Sequence, residues 1–257
     1  MKKIRTFLAA LTAVTMCVGA VPVAQVHLPQ VSVVASAEDL TYDNLTYEIV
    51  SDETKTVTIT GCDQNATTIE VPAEIEGVPV TKIGPQAFRS CYNLVKATLP
   101  DSIVTMDRSV FDGDKNLRTV NLPANLKELG TETFSGCTSL KDVTLPEQLA
   151  SLPSGTFLGC TNLTTVSIPE GVTSLGDSVF ANCSNLKSMT LPDSLVSMGG
   201  SVFSKCTKLE TIVIPDMVSE LQWLVFDGCI SLKQVTLPKD LTFIGKWAFR
   251  NCSSLTE

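Results

Sequence analysis

The amino-acid sequence predicts an α/β solenoid, a fold in which short units of similar structure stack on one another. Phenylalanine recurs every 23 residues, and a proline follows each of the first seven at a constant distance. A fixed period of about 20 to 50 residues is the sequence signature of stacked-repeat proteins. The phenylalanines are Phe88, Phe111, Phe134, Phe157, Phe180, Phe203, Phe226 and Phe249. The prolines are Pro100, Pro123, Pro146, Pro169, Pro192, Pro215 and Pro238.

Each unit is predicted to contain one short strand with the pattern L-x-x-V-x-L. In one unit, Val120 and Leu122 point to one side of the strand, and the residues beside Val120 point to the other. The proline that follows has no N–H group to donate, so it ends the strand. Glycines after the last leucine of several units are expected to form turns with positive φ. These glycines are Gly130, Gly176, Gly199 and Gly245.

The segment around each phenylalanine, A/V-F-x-x-C, is predicted to cross back as a short helical or 3₁₀ turn. One unit cannot bury its apolar side alone, so stacking is expected to build a continuous core and one parallel sheet. That core is predicted to contain the phenylalanines and a column of cysteines three residues after them. The cysteines are Cys91, Cys137, Cys160, Cys183, Cys206, Cys229 and Cys252.

The cysteine column is predicted to hold buried free thiols, although cysteines in an exported chain often form disulfides. Cysteine packs as a small hydrophobic residue. Side chains stacked in register also lack the geometry of a disulfide, and a linear column does not converge on a metal. Cys62 lies outside the column and would pair only if the fold of the cap brought it to a partner.

Asp114 occupies the column position in the second unit. We expect the turn that contains it to bulge and expose the carboxylate, since a buried charge would need partners. A calcium site formed by Asp107, Asp112 and Asp114 is a weaker alternative, because their spacing matches no established calcium loop.

Residues 1–37 are predicted to be a secretory signal peptide. Basic residues at the N-terminus precede an apolar stretch, and Ala35-Ser36-Ala37 is a suitable cleavage site. Cleavage after Ala20 is an alternative, because Pro22 interrupts the apolar stretch. A membrane anchor is disfavoured by the shortness of that stretch, and lipidation at Cys17 is disfavoured by the large residue before it.

The remaining chain divides into two predicted parts. Residues 38–80 are predicted to form an N-terminal β cap and an atypical first repeat, which would cover the exposed end strand. Residues 81–257 contain the repeats, with seven full units from Phe88 and a truncated last unit. Because Glu257 falls where a strand should begin, we expect the natural protein to continue.

Over residues 65–257 the unit F-x-x-C-x-x-L-x-x-V-x-L-P-x-x-L-x-x-L resembles the BspA-type, or treponemal, leucine-rich repeat of bacteria. It departs from the commoner leucine-rich repeat because the leucine after the proline comes one residue early and no asparagine ladder exists. The resemblance implies a right-handed, horseshoe-shaped solenoid with strands on its concave face. It also implies a secreted or cell-surface location, a role in adhesion or partner binding, and no catalytic residues.

Composition and charge exclude several functions. The loss of three basic residues with the signal peptide takes the formal net charge from −8 to about −11, which disfavours nucleic acid as a partner. His27 is the only histidine and lies within the predicted signal peptide, so histidine-based catalysis is excluded from the mature chain. We therefore predict no enzyme activity, no cofactor and no metal.

The sequence predicts a secreted or surface binding module that contacts a protein or polysaccharide through the concave strand face. The alternative is a structural spacer or targeting module for a C-terminal anchoring or docking domain. Trp223 and Trp247 are predicted to form a local apolar patch or to pack against a further C-terminal unit. The candidate face consists of Lys96, Thr98, Thr119, Asn121, Asp142, Thr144, Thr165, Ser167, Ser188, Thr190, Thr211, Val213, Gln234 and Thr236.

Overall fold

The computed structural model describes residues 40–50 and 54–256. The predicted signal peptide, with Cys17, His27 and both candidate cleavage sites, lies outside the described residues. Within them, no helix has the length and apolar character needed to cross a membrane.

The N-terminal part of the described chain forms a small β structure that leads into the solenoid. β2 (Leu45–Val50) pairs antiparallel with both β1 (Leu40–Tyr42) and β3 (Thr56–Cys62), and β3 pairs in parallel with β6 (Val78–Ile83). This parallel pairing joins the first strands to the repeats, because β6 also pairs with a strand of the first 23-residue repeat. Between β3 and β6 lie two further short strands, β4 (Thr68–Glu70) and β5 (Glu74–Ile75).

Each later repeat, here called a coil, contributes to two parallel strand ladders. The first strand ladder contains the predicted strands, and the second contains two-residue strands at the last leucine position, which the sequence did not suggest. The first comprises β4, β7 (Lys96–Thr98), β9 (Thr119–Asn121), β11 (Asp142–Thr144), β13 (Thr165–Ser167), β16 (Thr211–Val213) and β18 (Gln234–Thr236). The second comprises β8 (Thr105–Met106), β10 (Glu128–Leu129), β12 (Ser151–Leu152), β14 (Ser174–Leu175), β15 (Ser197–Met198), β17 (Glu220–Leu221) and β19 (Phe243–Ile244).

The first strand ladder is not the single sheet that the sequence predicted. It divides into β4-β7-β9, β11-β13 and β16-β18, and the coil between β13 and β16 contributes one isolated bridge, Ser188 to Thr211. Register is strict wherever strands pair, since Val143 lies opposite Val166 and Ile212 lies opposite Val235. The 23-residue period therefore sets the register, although not every pair of neighbouring coils forms a ladder on this face.

The segment around each phenylalanine is not helical, so the prediction of helical or 3₁₀ turns is wrong; the described residues contain no helix. The residues two before and two after each phenylalanine have positive φ, as Ser109 and Gly113 do around Phe111. Alternate N–H groups of this segment donate to carbonyls of the next coil. The amide of Phe88, for example, donates to the carbonyl of Val110 at 3.0 Å. A helix would direct those groups within the segment.

The glycines that follow the last leucine do not have positive φ, so that prediction is also wrong. Their role is to allow close approach between neighbouring coils. A Cβ atom on Gly199 would lie 2.6 Å from the amide nitrogen of Asp177, and one on Gly245 would lie 2.6 Å from the amide nitrogen of Trp223. Backbone atoms cannot move aside as a flexible side chain can, so a side chain at either position would force the neighbouring coils to shift.

The core is a file of phenylalanine rings along the solenoid. Neighbouring ring centroids lie 5.2–5.6 Å apart, and the ring planes are within 15° of parallel except for Phe88 and Phe111, which are tilted by 40°. These distances are those of favourable offset aromatic pairs. The rings from Phe88 to Phe226 are fully buried, and Phe249 in the last described coil is half-buried.

Candidate binding face on the first strand ladder

Every candidate residue of the predicted strand face is exposed except Thr98, which is half-buried. The alternation of side chains along each strand produces this face. In β11, Val143 is buried in the core, whereas Asp142 and Thr144 are exposed on either side of it. The same order, exposed–buried–exposed, is found in β13 and β16.

In-register pairing arranges the exposed side chains into rows. Asp142 lies opposite Thr165, and Thr144 lies opposite Ser167. The face carries hydroxyl groups on most of its positions, and Val213, which is 61% exposed, is its one aliphatic member. Such rows can donate and accept hydrogen bonds along an extended ligand.

A groove opens on this face between β9 and β11, which the structure does not pair with each other. Asn121 turns back toward the preceding coil instead. Its Oδ1 accepts from the amide of Leu99 at 3.1 Å, and its Nδ2 donates to the carbonyl of Leu99 at 2.9 Å. These bonds reinforce the backbone ladder between β9 and β7, whereas β9 and β11 form no ladder and the interval between them is open.

The groove has a volume of about 590 Å³. Four predicted face residues line it together, namely Thr119 and Asn121 from β9 and Asp142 and Thr144 from β11. The turn after the strand adds residues that the sequence analysis did not select. Those residues are Ala124, Glu147 and Gln148. The signal that could have identified them is their place directly after the strand-ending prolines.

The lining of the groove is polar at the rim and apolar at the floor. Asp142 and Glu147 supply two carboxylates, and no lysine or arginine is among the lining residues. Val120 and Leu122 are only half-buried, whereas Val143 and Leu145 in the next coil are buried. The site can therefore contact apolar groups at its base and attract cationic or hydrogen-bond-donating groups at its edge.

The candidate calcium ligands do not come together. Asp107 pairs with Lys82 at 2.8 Å, and Asp112 pairs with Arg89 at 3.1 Å. Among the described residues, no group of three or more histidine, cysteine or acidic side chains could hold a metal ion. The calcium alternative is therefore not supported by the geometry.

Asp114 is fully buried, so the expectation that its turn would expose it is wrong. Neither of its carboxylate oxygens has a hydrogen-bond partner in the described part of the chain. Burial is the main cause that raises the pKa of Asp114 to about 9, and the nearby Cys91 is a smaller cause in the same direction. The side chain is consequently a neutral carboxylic acid at neutral pH, which removes the charge that would otherwise need a partner.

The column cysteines from Cys137 onward share one hydrogen-bond pattern. Each thiol donates to the carbonyl of the phenylalanine 26 residues earlier, as Cys160 does to Phe134 at 3.0 Å. Burial raises the pKa of Cys160 and of Cys206 to about 12. Thiols that are buried and protonated are poor nucleophiles and poor metal ligands. All cysteines of the described chain are free in the structure.

The two tryptophans lie on the surface near the end of the described chain. Trp223 is 48% exposed and Trp247 is 51% exposed. The ring of Trp223 covers Gly200, and the ammonium of Lys246 lies 4.0 Å from the ring centre of Trp247. Neither tryptophan lies beside the groove, so they belong to a separate surface.

Stacked 23-residue coils with parallel ladders and a stacked phenylalanine core define a leucine-rich-repeat β-solenoid. A family model described as the BspA type leucine rich repeat region matches residues 60–187 and 136–256 with six copies. The chain belongs to this family. Leucine-rich-repeat proteins are binding and scaffold modules and are not typically enzymes.

Solved structures of bacterial proteins resemble the chain. A leucine rich repeat protein of T. pallidum is 25% identical, with a TM-score of 0.60, over 86% of this chain and 92% of that one. A leucine-rich repeat protein from Bacteroides capillosus is 30% identical, with a TM-score of 0.45, over 50% of this chain and 96% of that one. A leucine rich cell surface protein from Faecalibacterium prausnitzii is 20% identical, with a TM-score of 0.44, over 86% and 94% of the two chains. No curated protein matches the chain.

Proposed function

We propose that this chain is an extracellular, adhesion-type binding module that holds an extended segment of a partner protein in the groove between β9 and β11. The observation that carries the proposal is that four residues of the predicted strand face line this groove together. Solenoid proteins commonly bind partners along their extended strand surfaces. The basic and apolar N-terminal sequence and the family both favour a location outside the cell.

Charge favours a partner segment with lysine or arginine side chains. The groove presents Asp142 and Glu147 without a lining base, and the chain as a whole is acidic. A basic side chain can hydrogen-bond to these carboxylates, while its aliphatic stem packs on the half-buried Val120 and Leu122. A protein partner fits better than a polysaccharide, because none of the candidate face residues is aromatic.

The test uses a displayed random peptide library and a glycan array as probes. We expect the peptide library to yield binders rich in lysine and arginine, whose affinity falls as salt concentration rises. The discriminating variant is Thr144→Lys, which places a positive charge in the groove. Its matched control is Thr236→Lys, which makes the same change at the same strand position in β18, outside the lining of this groove.

Selected peptides are expected to lose about tenfold or more in affinity for Thr144→Lys, corresponding to about 1.4 kcal/mol, and to keep their affinity for Thr236→Lys. Equal losses in both variants would indicate that the peptides bind the strand face as a whole and not the groove. Binding on the glycan array alone would indicate that the partner is a polysaccharide and not a protein. No binder on either probe would contradict the binding role and favour the spacer.

A further inference from the structure

Two cysteines at the junction between the first strands and the first coil lie in direct sulfur contact. Cys62 is the last residue of β3, and Cys91 is the first member of the cysteine column. Their Sγ atoms are 2.8 Å apart, and the residues are separated by 29 positions in the chain. A disulfide bond is about 2.05 Å long, so a shift of less than about 1 Å brings the two sulfurs to bonding distance.

The other column cysteines have a different arrangement. From Cys137 to Cys252, each thiol donates to a phenylalanine carbonyl of an earlier coil rather than to another thiol. Cys91 is separated from Cys137 by Asp114, which occupies the intervening column position. The carboxyl side chain of Asp114 cannot form a disulfide. Among the described cysteines, Cys62 is therefore the one whose thiol contacts Cys91.

We propose that Cys62 and Cys91 form a disulfide that ties the N-terminal strands to the first coil of the solenoid. Cys62 is half-buried and Cys91 is fully buried, so an oxidant first reaches Cys62. The oxidant is a small-molecule or protein disulfide, of which oxidised glutathione is the simplest example. Such partners are available outside the reducing cytoplasm.

The reaction proceeds by two thiol–disulfide exchanges. Cys62 loses its proton to water, and its thiolate attacks one sulfur of oxidised glutathione. The S–S bond of glutathione breaks, a mixed disulfide forms on Cys62, and one glutathione leaves as a thiolate that is then protonated. Cys91 next loses its proton and attacks the Sγ of Cys62, which expels the second glutathione. The protein has then lost two hydrogen atoms and two electrons, and oxidised glutathione has become two molecules of reduced glutathione.

The disulfide would close a loop that contains β4, β5 and β6. β3 is held to the repeats by its parallel pairing with β6, and the covalent bond adds a second attachment at the end of β3. Because β3 lies at the start of the stacked core, this attachment opposes opening of that end, where an uncovered strand would otherwise be exposed.

Mass spectrometry of the wild-type chain tests the proposal directly. The purified chain is incubated with oxidised glutathione at mildly alkaline pH, quenched with acid, alkylated in denaturant and digested with trypsin without reduction. Cys62 and Cys91 fall on separate tryptic peptides, 56–82 and 90–96, each with a single cysteine. We expect these two peptides to appear as one linked species, about 2 Da lighter than their sum, which reduction separates.

Cys252 is the internal control, because it is half-buried like Cys62 but donates to the carbonyl of Phe226. Its peptide, 251–257, is expected to be recovered alkylated and unlinked. In Cys62→Ser, peptide 90–96 is expected to become alkylated and unlinked. Recovery of both wild-type peptides as separate alkylated species, or a link from Cys91 to any other cysteine, would overturn the proposal.

Discussion

Asp114 provides a prediction whose size can be worked from its surroundings. From Cys137 onward, each thiol of the column donates to the carbonyl of the phenylalanine 26 residues earlier, and the equivalent acceptor for Asp114 is the carbonyl of Phe88. We expect a protonated Asp114 to donate to that carbonyl, as the thiols do. The isosteric change Asp114→Asn keeps an N–H donor at this position and removes the proton that titrates.

The sign of the effect follows from the direction of the shift. Burial raises the pKa of Asp114 from 3.8 to about 9 in the folded chain. Between these values the folded state keeps a proton that the unfolded state releases, so stability is greatest at low pH and falls as pH rises toward about 9. The slope approaches about 1.4 kcal/mol per pH unit, which amounts to about 4 kcal/mol between pH 5 and pH 8.

The assay is urea-induced unfolding, followed by circular dichroism at pH 5 and pH 8, for the wild-type chain and for Asp114→Asn. The free energy of unfolding of the wild type relative to the variant is expected to fall by up to about 4 kcal/mol over this interval. Comparing the two chains cancels the titration of all other groups. Asp112→Asn is the control, because it changes a carboxylate of the same turn that is paired with Arg89.

A wild-type chain whose stability relative to Asp114→Asn did not change between the two pH values would refute the reasoning. It would mean that Asp114 is either ionised in the folded chain, with a partner, or exposed to water. A fall of equal size for Asp112→Asn relative to Asp114→Asn is expected, since that chain retains Asp114.

Two further predictions concern the core and the contacts between coils. Phe157→Ala should lower the free energy of unfolding by about 3 to 5 kcal/mol in urea unfolding, because the ring of Phe157 is fully buried between Phe134 and Phe180. A loss below about 1 kcal/mol would contradict the place of Phe157 in the file of rings. Gly199→Ala should lower the free energy of unfolding by about 1 to 3 kcal/mol, because the added Cβ would lie 2.6 Å from the amide nitrogen of Asp177. An unchanged stability would show that the neighbouring coils separate easily.

The regular part of the fold could be predicted because equivalent positions have the same physical role in every repeat unit. A phenylalanine at each Phe position can be buried only if the neighbouring coil supplies the next ring, so the period alone predicts the file. The strand face follows for the same reason, since β-branched residues such as Val143 and Val166 alternate with polar ones. Both predictions depend on spacing, which the sequence displays directly.

The turn segment was predicted wrongly because its backbone conformation is not encoded by a single residue type. The position two residues before the phenylalanine has positive φ in every unit from Phe88 onward, yet it holds Gln86, Glu132, Leu224 and Trp247 as well as glycine. Residues other than glycine rarely adopt this conformation. Here the hydrogen bonds to the next coil impose it, and those bonds are visible only after the coils are stacked.

The features that a repeat pattern cannot predict are departures from it, and two of them fall in one coil. Asp114 replaces the column cysteine, and Asn121 places at the strand face a side chain that bonds back to Leu99. The first separates Cys91 from the next thiol in the column, and the second adds side-chain bonds on the β7 side of β9. A threonine at position 121 would match Thr144 of β11 and would remove the side-chain bonds to Leu99. Asn121→Thr is therefore expected to let β9 pair with β11 and to narrow the groove, which weaker peptide binding in the library assay would report. Asp114→Cys, which does not line the groove, is the control and is expected to leave peptide binding unchanged.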